Sequence, residues 1–173
     1  MSSESWDEFF IGLAKYVERK SKDRTTKVGC VIVGPDNEVR SIGYNGFPRG
    51  VNDDITGRHE RPAKYLWTEH SERNALYNCA RVGIPTKGCK IYQGFIPCAD
   101  CARGIIQSGI NEVIVDGDDW DSKVESWKQR WKEHTDCSIE MLGEAGVKVR
   151  VFRPNGSDDD LVLAPHTSDE NGR

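Results

Sequence analysis

Two short segments of the chain carry side chains of the types that can bind a transition metal and transfer protons. The first contains His70 and Glu72 with one residue between them, and the second contains Cys98 and Cys101 just after Pro97. One imidazole nitrogen and two thiolates give Zn²⁺ three ligands and leave the fourth tetrahedral position for water, as in a catalytic zinc site. Glu72 is not needed as a ligand, so it is free to act as general base and then general acid. The spacing predicts zinc-assisted hydrolysis.

The order of residues around the two cysteines predicts the start of a helix. Proline fits the first turn of a helix because its missing N–H needs no partner there. Cys98 and Cys101 would then project from one face of the helix, where its positive end favours the thiolate.

Length and composition narrow the class of protein. The chain has 173 residues, which suits one domain, and its net charge of −4 argues against nucleic acid as the main substrate. We see no signal peptide and no apolar run long enough to span a membrane, and we therefore expect a cytoplasmic protein with reduced thiols. The cysteines outside the metal motif are expected to be small buried apolar residues: Cys30, Cys79, Cys89 and Cys137. A second, structural zinc using Cys79 or Cys89 with His59 stays open, although the spacing gives it no support.

Apolar periodicity and turn residues predict an α/β fold with a mixed five-stranded sheet covered by helices on both faces. A capping box at Ser5 and Glu8 opens the first helix. The polar stretch 45–67 is long for a plain connection and is typical of a binding loop or lid. The predicted strands are 28–33, 39–44, 90–94, 113–115 and 147–152, and further helices cover 72–82, the segment from Cys98 to Gly109, and the region of Val124, Trp127 and Trp131.

The pattern H-x-E followed by P-C-x-x-C is identified as that of zinc-dependent nucleobase deaminases. Over roughly residues 5–152 the chain resembles the deoxycytidylate (dCMP) deaminases of the cytidine/deoxycytidylate deaminase family. The segments that carry the resemblance are 21–23 with 28–29, Gly43 to Gly50, Glu69 to Ala75, and Pro97 to Ala102. The glycine-rich loop Gly-Tyr-Asn-Gly-x-Pro-x-Gly is the most particular to the dCMP branch.

The resemblance implies a three-layer α-β-α cytidine deaminase-like fold in residues 1–152. The charged composition of residues 153–173 predicts a weakly ordered polar C-terminal tail, in which Leu161–Leu163 could dock. It implies hydrolysis of dCMP to dUMP and ammonia with Zn²⁺ bound by His70, Cys98 and Cys101, the dUMP serving thymidylate synthesis. It also implies a homo-oligomer, with a hexamer expected.

Further residue roles follow from the resemblance and from local chemistry. Asn45 would hold the deoxyribose or its phosphate, the backbone N–H of Ser71 would face the pyrimidine, and Trp120 would line the pocket. Lys22, near Arg24 and Lys27, could reach the phosphate. A regulatory nucleotide site, with dCTP activating and dTTP inhibiting, would involve the glycine-rich loop residues Gly43, Tyr44, Asn45, Gly46, Phe47, Arg49 and Gly50. Trp127 and Trp131 are expected in the core or at a subunit interface.

Departures from the family pattern keep alternatives open. Ser71 stands where alanine is usual, which puts the natural base in some doubt, and Arg24 replaces a frequent proline. The alternatives are a deaminase of a 5-substituted dCMP, of free cytidine or of tRNA adenosine, and a non-catalytic zinc protein that acts as a regulatory subunit. Free cytidine deaminases usually carry Cys at the position of His70, and the acidic charge argues against tRNA.

Overall fold

The computed structural model describes residues 4–162 as a mixed six-stranded sheet between two helical layers. The strands follow the order β2-β1-β3-β4-β5-β6, with β3, β4 and β5 parallel and the other neighbours antiparallel. The strands are β1 Gly29–Val33, β2 Val39–Tyr44, β3 Lys90–Gln93, β4 Glu112–Asp116, β5 Lys148–Phe152 and β6 Asp159–Val162. The helices are α1 Trp6–Glu18, α2 Lys64–Trp67, α3 Ser71–Val82, α4 Ala99–Gln107, α5 Gly117–Ser122 and α6 Glu125–Glu144, and a 3₁₀ turn covers Thr56–His59.

The two faces of the sheet have separate apolar cores, which confirms the three-layer prediction. One core joins α1 to the sheet, with Phe10 and Val17 of the helix against Val31 and Tyr92 of the strands. The other core lies between the sheet and the layer of α3, α4 and α6. Strand β1 contributes alternate residues to both cores and is buried along its whole length, which explains its continuous apolar run.

Helix α1 begins at the capping box that the sequence predicts. The Ser5 side chain accepts a hydrogen bond from the Glu8 amide at 3.2 Å, and the Ser5 amide donates to the Glu8 carboxylate at 2.8 Å. This reciprocal pair satisfies two backbone donors that the first turn of a helix would otherwise leave free.

A sixth strand extends the predicted five-stranded sheet. Asp159–Val162 pairs antiparallel with β5 along the edge of the sheet, inside the segment predicted to be a polar tail. Acidic side chains of this segment meet basic ones of β5: Arg150 bonds Asp158 at 2.8 Å, and Lys148 lies 3.5 Å from Asp160. An acidic run therefore forms a strand because its charges are matched across the ladder. Residues 163–173 of the predicted tail lie outside the described residues.

Three local predictions differ from the structure. Cys137 is exposed on α6 instead of buried. Pro97 precedes the helix, because Cys98 is the N-cap in extended conformation and α4 begins at Ala99. The acidic loop predicted around Trp120 forms the short helix α5, whose N-cap Asp116 accepts a hydrogen bond from the Asp118 amide. None of the helices among residues 4–162 is both long and apolar enough to cross a membrane.

Helix α3 approaches β2 so closely that only glycine fits at one strand position. A Cβ at Gly43 would lie 2.2 Å from the backbone oxygen of Ser71 and 2.5 Å from the amide nitrogen of Ala75. Because both atoms belong to the backbone of α3, no side-chain rotation could relieve the clash. Gly43 therefore sets the height of α3 above the sheet.

We predict that Gly43→Ala destabilises the protein by about 1–3 kcal/mol, the usual range for overpacking a tight interior. The measurement is the free energy of unfolding from a denaturant titration. Gly12→Ala is the matched control, because nothing lies within 4 Å of a Cβ at this exposed position of α1; we expect it to be neutral or slightly stabilising. Equal stability of Gly43→Ala and the parent protein would show that α3 can shift without loss.

Candidate metal and catalytic site

The side chains of His70, Cys98 and Cys101 meet at one point, as the sequence predicts. Nδ1 of His70 lies 3.4 Å from Sγ of Cys98 and 3.6 Å from Sγ of Cys101. Two ligands of a tetrahedral zinc, at bond lengths of about 2.1 Å to nitrogen and 2.3 Å to sulfur, lie about 3.6 Å apart. The three donor atoms therefore fit a zinc ion. Within residues 4–162 no other group of His, Cys, Asp and Glu side chains converges in this way, so a second zinc that uses His59 finds no support in this part of the chain.

The ligands lie at the beginnings of two helices. His70 is the N-cap of α3 and Cys98 is the N-cap of α4, both with extended backbone. Cys101 follows in the first turn of α4. Arg73 of α3 pairs with Glu69 and lies 3.7 Å from Asp100 of α4. Its guanidinium therefore bridges acidic side chains near the beginnings of the two helices.

The two cysteine side chains shift each other's pKa in opposite directions. The hydrogen bond with Cys101, together with the one with His70, outweighs the effect of burial and lowers the pKa of Cys98 to about 3. The same hydrogen bond and burial raise the pKa of Cys101. Because cysteine ligates zinc as a thiolate, zinc binding at these residues would be coupled to the loss of thiol protons.

The carboxylate of Glu72 lies beside this triad. Glu72 is 6% exposed and occupies the first turn of α3. The hydroxyl of Ser71, which is fully buried, donates to Oε2 of Glu72 at 2.9 Å. The serine that replaces the usual alanine thus holds one carboxylate oxygen, and the other has no hydrogen-bond partner among residues 4–162.

A cavity with about 840 Å³ of empty space opens above His70, Ser71, Glu72 and Cys98. Its apolar side is formed by Phe95, Ile96, Trp127 and Trp131. These aromatic rings form a chain: Phe95 lies 5.0 Å from Trp127, and Trp127 lies 6.3 Å from Trp131. Trp131 stands edge-to-face with the His70 ring at 6.2 Å. The tryptophans of α6, expected in the core or at a subunit interface, are half-buried and line the cavity; their place at an interface stays a prediction.

The opposite side of the cavity is held by a buried ion pair. Nζ of Lys64 donates to Oδ2 of Asp23 at 2.7 Å and to Oγ1 of Thr25 at 2.8 Å. Burial alone would raise the pKa of Asp23, but the hydrogen bonds from Lys64 and from the amides of Thr25 and Thr26 lower it below its usual range. This pair fastens α2 of the polar stretch 45–67 to the segment before β1.

Asn45 also lines the cavity, and its side chain is already bonded to the chain. Its Oδ1 accepts from the Val28 amide at 2.8 Å, and its Nδ2 donates to the Thr26 carbonyl at 2.8 Å. One Nδ2 hydrogen is left for a ligand. The Asn45 side chain thus holds the segment that leads into β1. Its contact with the sugar stays a prediction.

Two predicted substrate residues do not line this cavity. Lys22 is exposed and pairs with Asp53 at 2.7 Å, next to a smaller cavity that Phe47 and His59 also line. Trp120 packs on the core behind Trp127, with ring centroids 6.3 Å apart. Their predicted substrate contacts stay predictions.

The predicted regulatory loop divides into parts with different surroundings. Gly43 packs under α3, and Gly46 forms a two-way backbone bridge with Glu69. Phe47 stacks on His59 at 4.8 Å. Tyr44 is exposed, Arg49 bonds Asn78, and Gly50 has a φ of 79°.

Several cavity residues escaped the sequence analysis, among them Lys64, Phe95, Arg61 and Gln93. Arg61 lines the cavity and is exposed, with no ion pair among residues 4–162. Gln93 is 1% exposed at the end of β3. The available signal for Gln93 was a polar residue that follows the apolar pair Ile91 and Tyr92, four positions before the Cys motif. The sequence held no comparable signal for Arg61.

Comparison with known proteins agrees with this geometry. The family model for the cytidine and deoxycytidylate deaminase zinc-binding region matches residues 4–116. The deoxycytidylate deaminase of Mus musculus is 36% identical over 157 residues, covering 88% of this chain and 82% of that protein. An uncharacterized deaminase of Aliivibrio fischeri is 38% identical over 144 residues, covering 83% and 91%.

The fold has a counterpart among solved structures. The dCMP deaminase of cyanophage S-TIM5, in complex with dCMP and dUMP, superposes with a TM-score of 0.68 and 22% identity, over 88% of this chain and all of that one. The predicted cytidine deaminase-like fold is thereby confirmed. Since a zinc-fitting triad, a buried glutamate and a matching family model all occupy the same segment, the chain belongs to the zinc-dependent cytidine and deoxycytidylate deaminase family.

Proposed function

We propose that this protein catalyses the hydrolytic deamination of dCMP to dUMP and ammonia. The observation that carries the proposal is the buried carboxylate of Glu72 beside His70, Cys98 and Cys101 in one cavity. The choice of dCMP is supported by the relatives named deoxycytidylate deaminase, which align with most of the chain.

His70, through Nδ1, and Cys98 and Cys101, through their sulfur atoms, would hold the zinc ion. In a site with three protein ligands, zinc supplies a water nucleophile by lowering the pKa of that water to about 7. The proton transfers then fall to Glu72, the carboxylate of the site that serves as no ligand.

Glu72 moves protons between water and base. Its carboxylate takes one proton from the attacking water and delivers it to N3 of cytosine while the new C4–O bond forms. It then takes the second proton of that oxygen and delivers it to the 4-amino group. The C4–N bond breaks, ammonia leaves, and C4 becomes the carbonyl of dUMP. The hydroxyl of Ser71 keeps the carboxylate pointed at the cavity through its bond to Oε2.

We predict that Glu72→Gln lowers kcat for dCMP at least about 100-fold, because general acid–base catalysis contributes on this scale and the amide cannot accept the proton. Zinc content, measured by mass spectrometry of the purified protein, should stay at one per chain. Glu133→Gln, at an exposed position of α6, is the control and should keep full activity. A Glu72→Gln protein with normal turnover would contradict the mechanism.

The aromatic side of the cavity suits a flat base, and the exposed guanidinium of Arg61 suits the phosphate. Lys64, the other cation on the lining, is already paired with Asp23. Because Glu72 and Cys98 are buried and Arg61 is exposed on the same cavity lining, we expect the 5′-phosphate of a bound nucleotide to lie on the Arg61 side.

We predict that Arg61→Ala raises KM for dCMP about 10-fold, the equivalent of one charge-assisted hydrogen bond. Deoxycytidine lacks the phosphate, so its kcat/KM should not change. Arg81→Ala removes an exposed charge that does not line the cavity and serves as the matched control. Equal losses on dCMP and deoxycytidine would exclude a phosphate contact by Arg61.

A deaminase of 5-substituted dCMP is the second candidate, and Ser71 favours it. Serine adds a hydroxyl to the cavity lining where alanine is usual in the family. Its bond to Glu72 occupies the proton of the hydroxyl, which leaves only its lone pairs for a polar substituent on C5.

We further propose that dCTP activates the enzyme and dTTP inhibits it at the loop Gly43 to Gly50. The protein would form a homohexamer in the cytoplasm, and its product dUMP would serve thymidylate synthesis. Gly46 and Phe47 of this loop line a small cavity together with Lys22 and His59, which supports an effector contact near the loop.

We predict that the purified protein deaminates dCMP faster than deoxycytidine, cytidine or 5-methyl-dCMP, as followed by the loss of ultraviolet absorbance. Addition of dCTP should raise the rate at low substrate concentration, and dTTP should lower it. Preference for 5-methyl-dCMP would transfer the assignment to the second candidate. Stoichiometric zinc without turnover of any cytosine nucleotide would instead favour a non-catalytic regulatory subunit.

A further inference from the structure

We propose that Gln93 is a specificity-determining residue whose side-chain oxygen accepts a hydrogen bond from the 4-amino group of the cytosine base. This inference rests on the proposed function, since it assigns a contact to the same substrate. Gln93 lines the cavity at the end of β3 and is 1% exposed. The two inner residues of β3, Ile91 and Tyr92, are apolar or aromatic. A buried amide at the end of this strand therefore calls for a functional explanation.

The orientation of the Gln93 amide is fixed by the backbone. Its Nε2 donates to the carbonyl oxygen of Phe95 at 2.7 Å. Only the nitrogen end of an amide can face a carbonyl oxygen, so Oε1 must point the other way. Among residues 4–162, Oε1 is a buried side-chain acceptor with no protein partner. A buried acceptor without a partner destabilises the protein, which suggests that a ligand supplies the donor.

The position of Gln93 indicates that the base of the nucleotide supplies this hydrogen-bond donor. Gln93 lies opposite Cys30 of β1, on the face of the sheet that carries α3 and α4. Gln93 and Glu72 both line the cavity at the metal triad. The acceptor therefore belongs to the same cavity as the catalytic carboxylate.

The cytosine ring of a nucleotide has one hydrogen-bond donor, its 4-amino group, and two acceptors, N3 and O2. An acceptor near Glu72 therefore complements the substrate at C4. The product carries an oxygen at C4, which would face Oε1 of Gln93. Because both oxygens are acceptors, no hydrogen bond could form between them. Gln93 would favour dCMP over dUMP and so promote product release after the C4–N bond breaks.

The test compares binding of dCMP and dUMP with and without the acceptor. We use the zinc-loaded Glu72→Gln protein, which should bind dCMP without converting it, and add Gln93→Met or Gln93→Leu. Both side chains are close in size to glutamine and have no acceptor oxygen. Ile91→Val, on the same strand and face but outside the cavity lining, is the matched control. The dissociation constants are measured by isothermal titration calorimetry.

We expect the Gln93 variants to bind dCMP about 5-fold more weakly, on the scale of one neutral hydrogen bond, and dUMP equally or more tightly. The ratio of the two constants is the readout, because general damage to the cavity would weaken both ligands. Equal weakening of both ligands, or an unchanged ratio, would overturn the assignment of Gln93 and leave the proposed function intact. Failure of the Glu72→Gln parent to bind dCMP at all would overturn both.

Discussion

The close approach of α3 to the sheet is the constraint on which the site depends. Gly43 lets the backbone of α3 lie against β2, and the backbone bridge between Gly46 and Glu69 fixes the residue just before His70. Because His70 is the N-cap of α3 and Cys98 is the N-cap of α4, the ligand distances follow from how these two helices begin. A shift of one helix by about 1 Å would separate donor atoms that a zinc ion requires within a narrow range.

Polar contacts hold the remaining sides of the cavity in place. The polar stretch 45–67 has little regular structure, yet Lys64 is buried and makes three hydrogen bonds to Asp23 and Thr25. Asn45 ties the other end of the same stretch to Thr26 and Val28. A segment without a core of its own is thus ordered by buried, hydrogen-bonded polar groups, which tolerate little displacement.

The aromatic side of the cavity comes from α6, late in the chain. Trp127 and Trp131 are half-buried, and their rings connect Phe95, after β3, with Tyr65 of α2. Around the metal triad, the cavity is therefore lined by four separate stretches of sequence, residues 23–28, 45–68, 93–96 and 127–135. Such an arrangement leaves the chemistry to α3 and α4, while the surrounding segments determine which base fits.

The sequence by itself determined the chemistry and most of the elements that position it. His70, Glu72, Cys98 and Cys101 were identifiable because metal ligation restricts residue type and spacing, and the capping box and the apolar runs are local signals. Only the tertiary structure decided which aromatic residues line the cavity, that Asp159–Val162 joins the sheet, and that Gln93 has a buried acceptor without a partner in the described part of the chain. These features depend on contacts between distant segments, and local sequence patterns carry no record of which surfaces will meet.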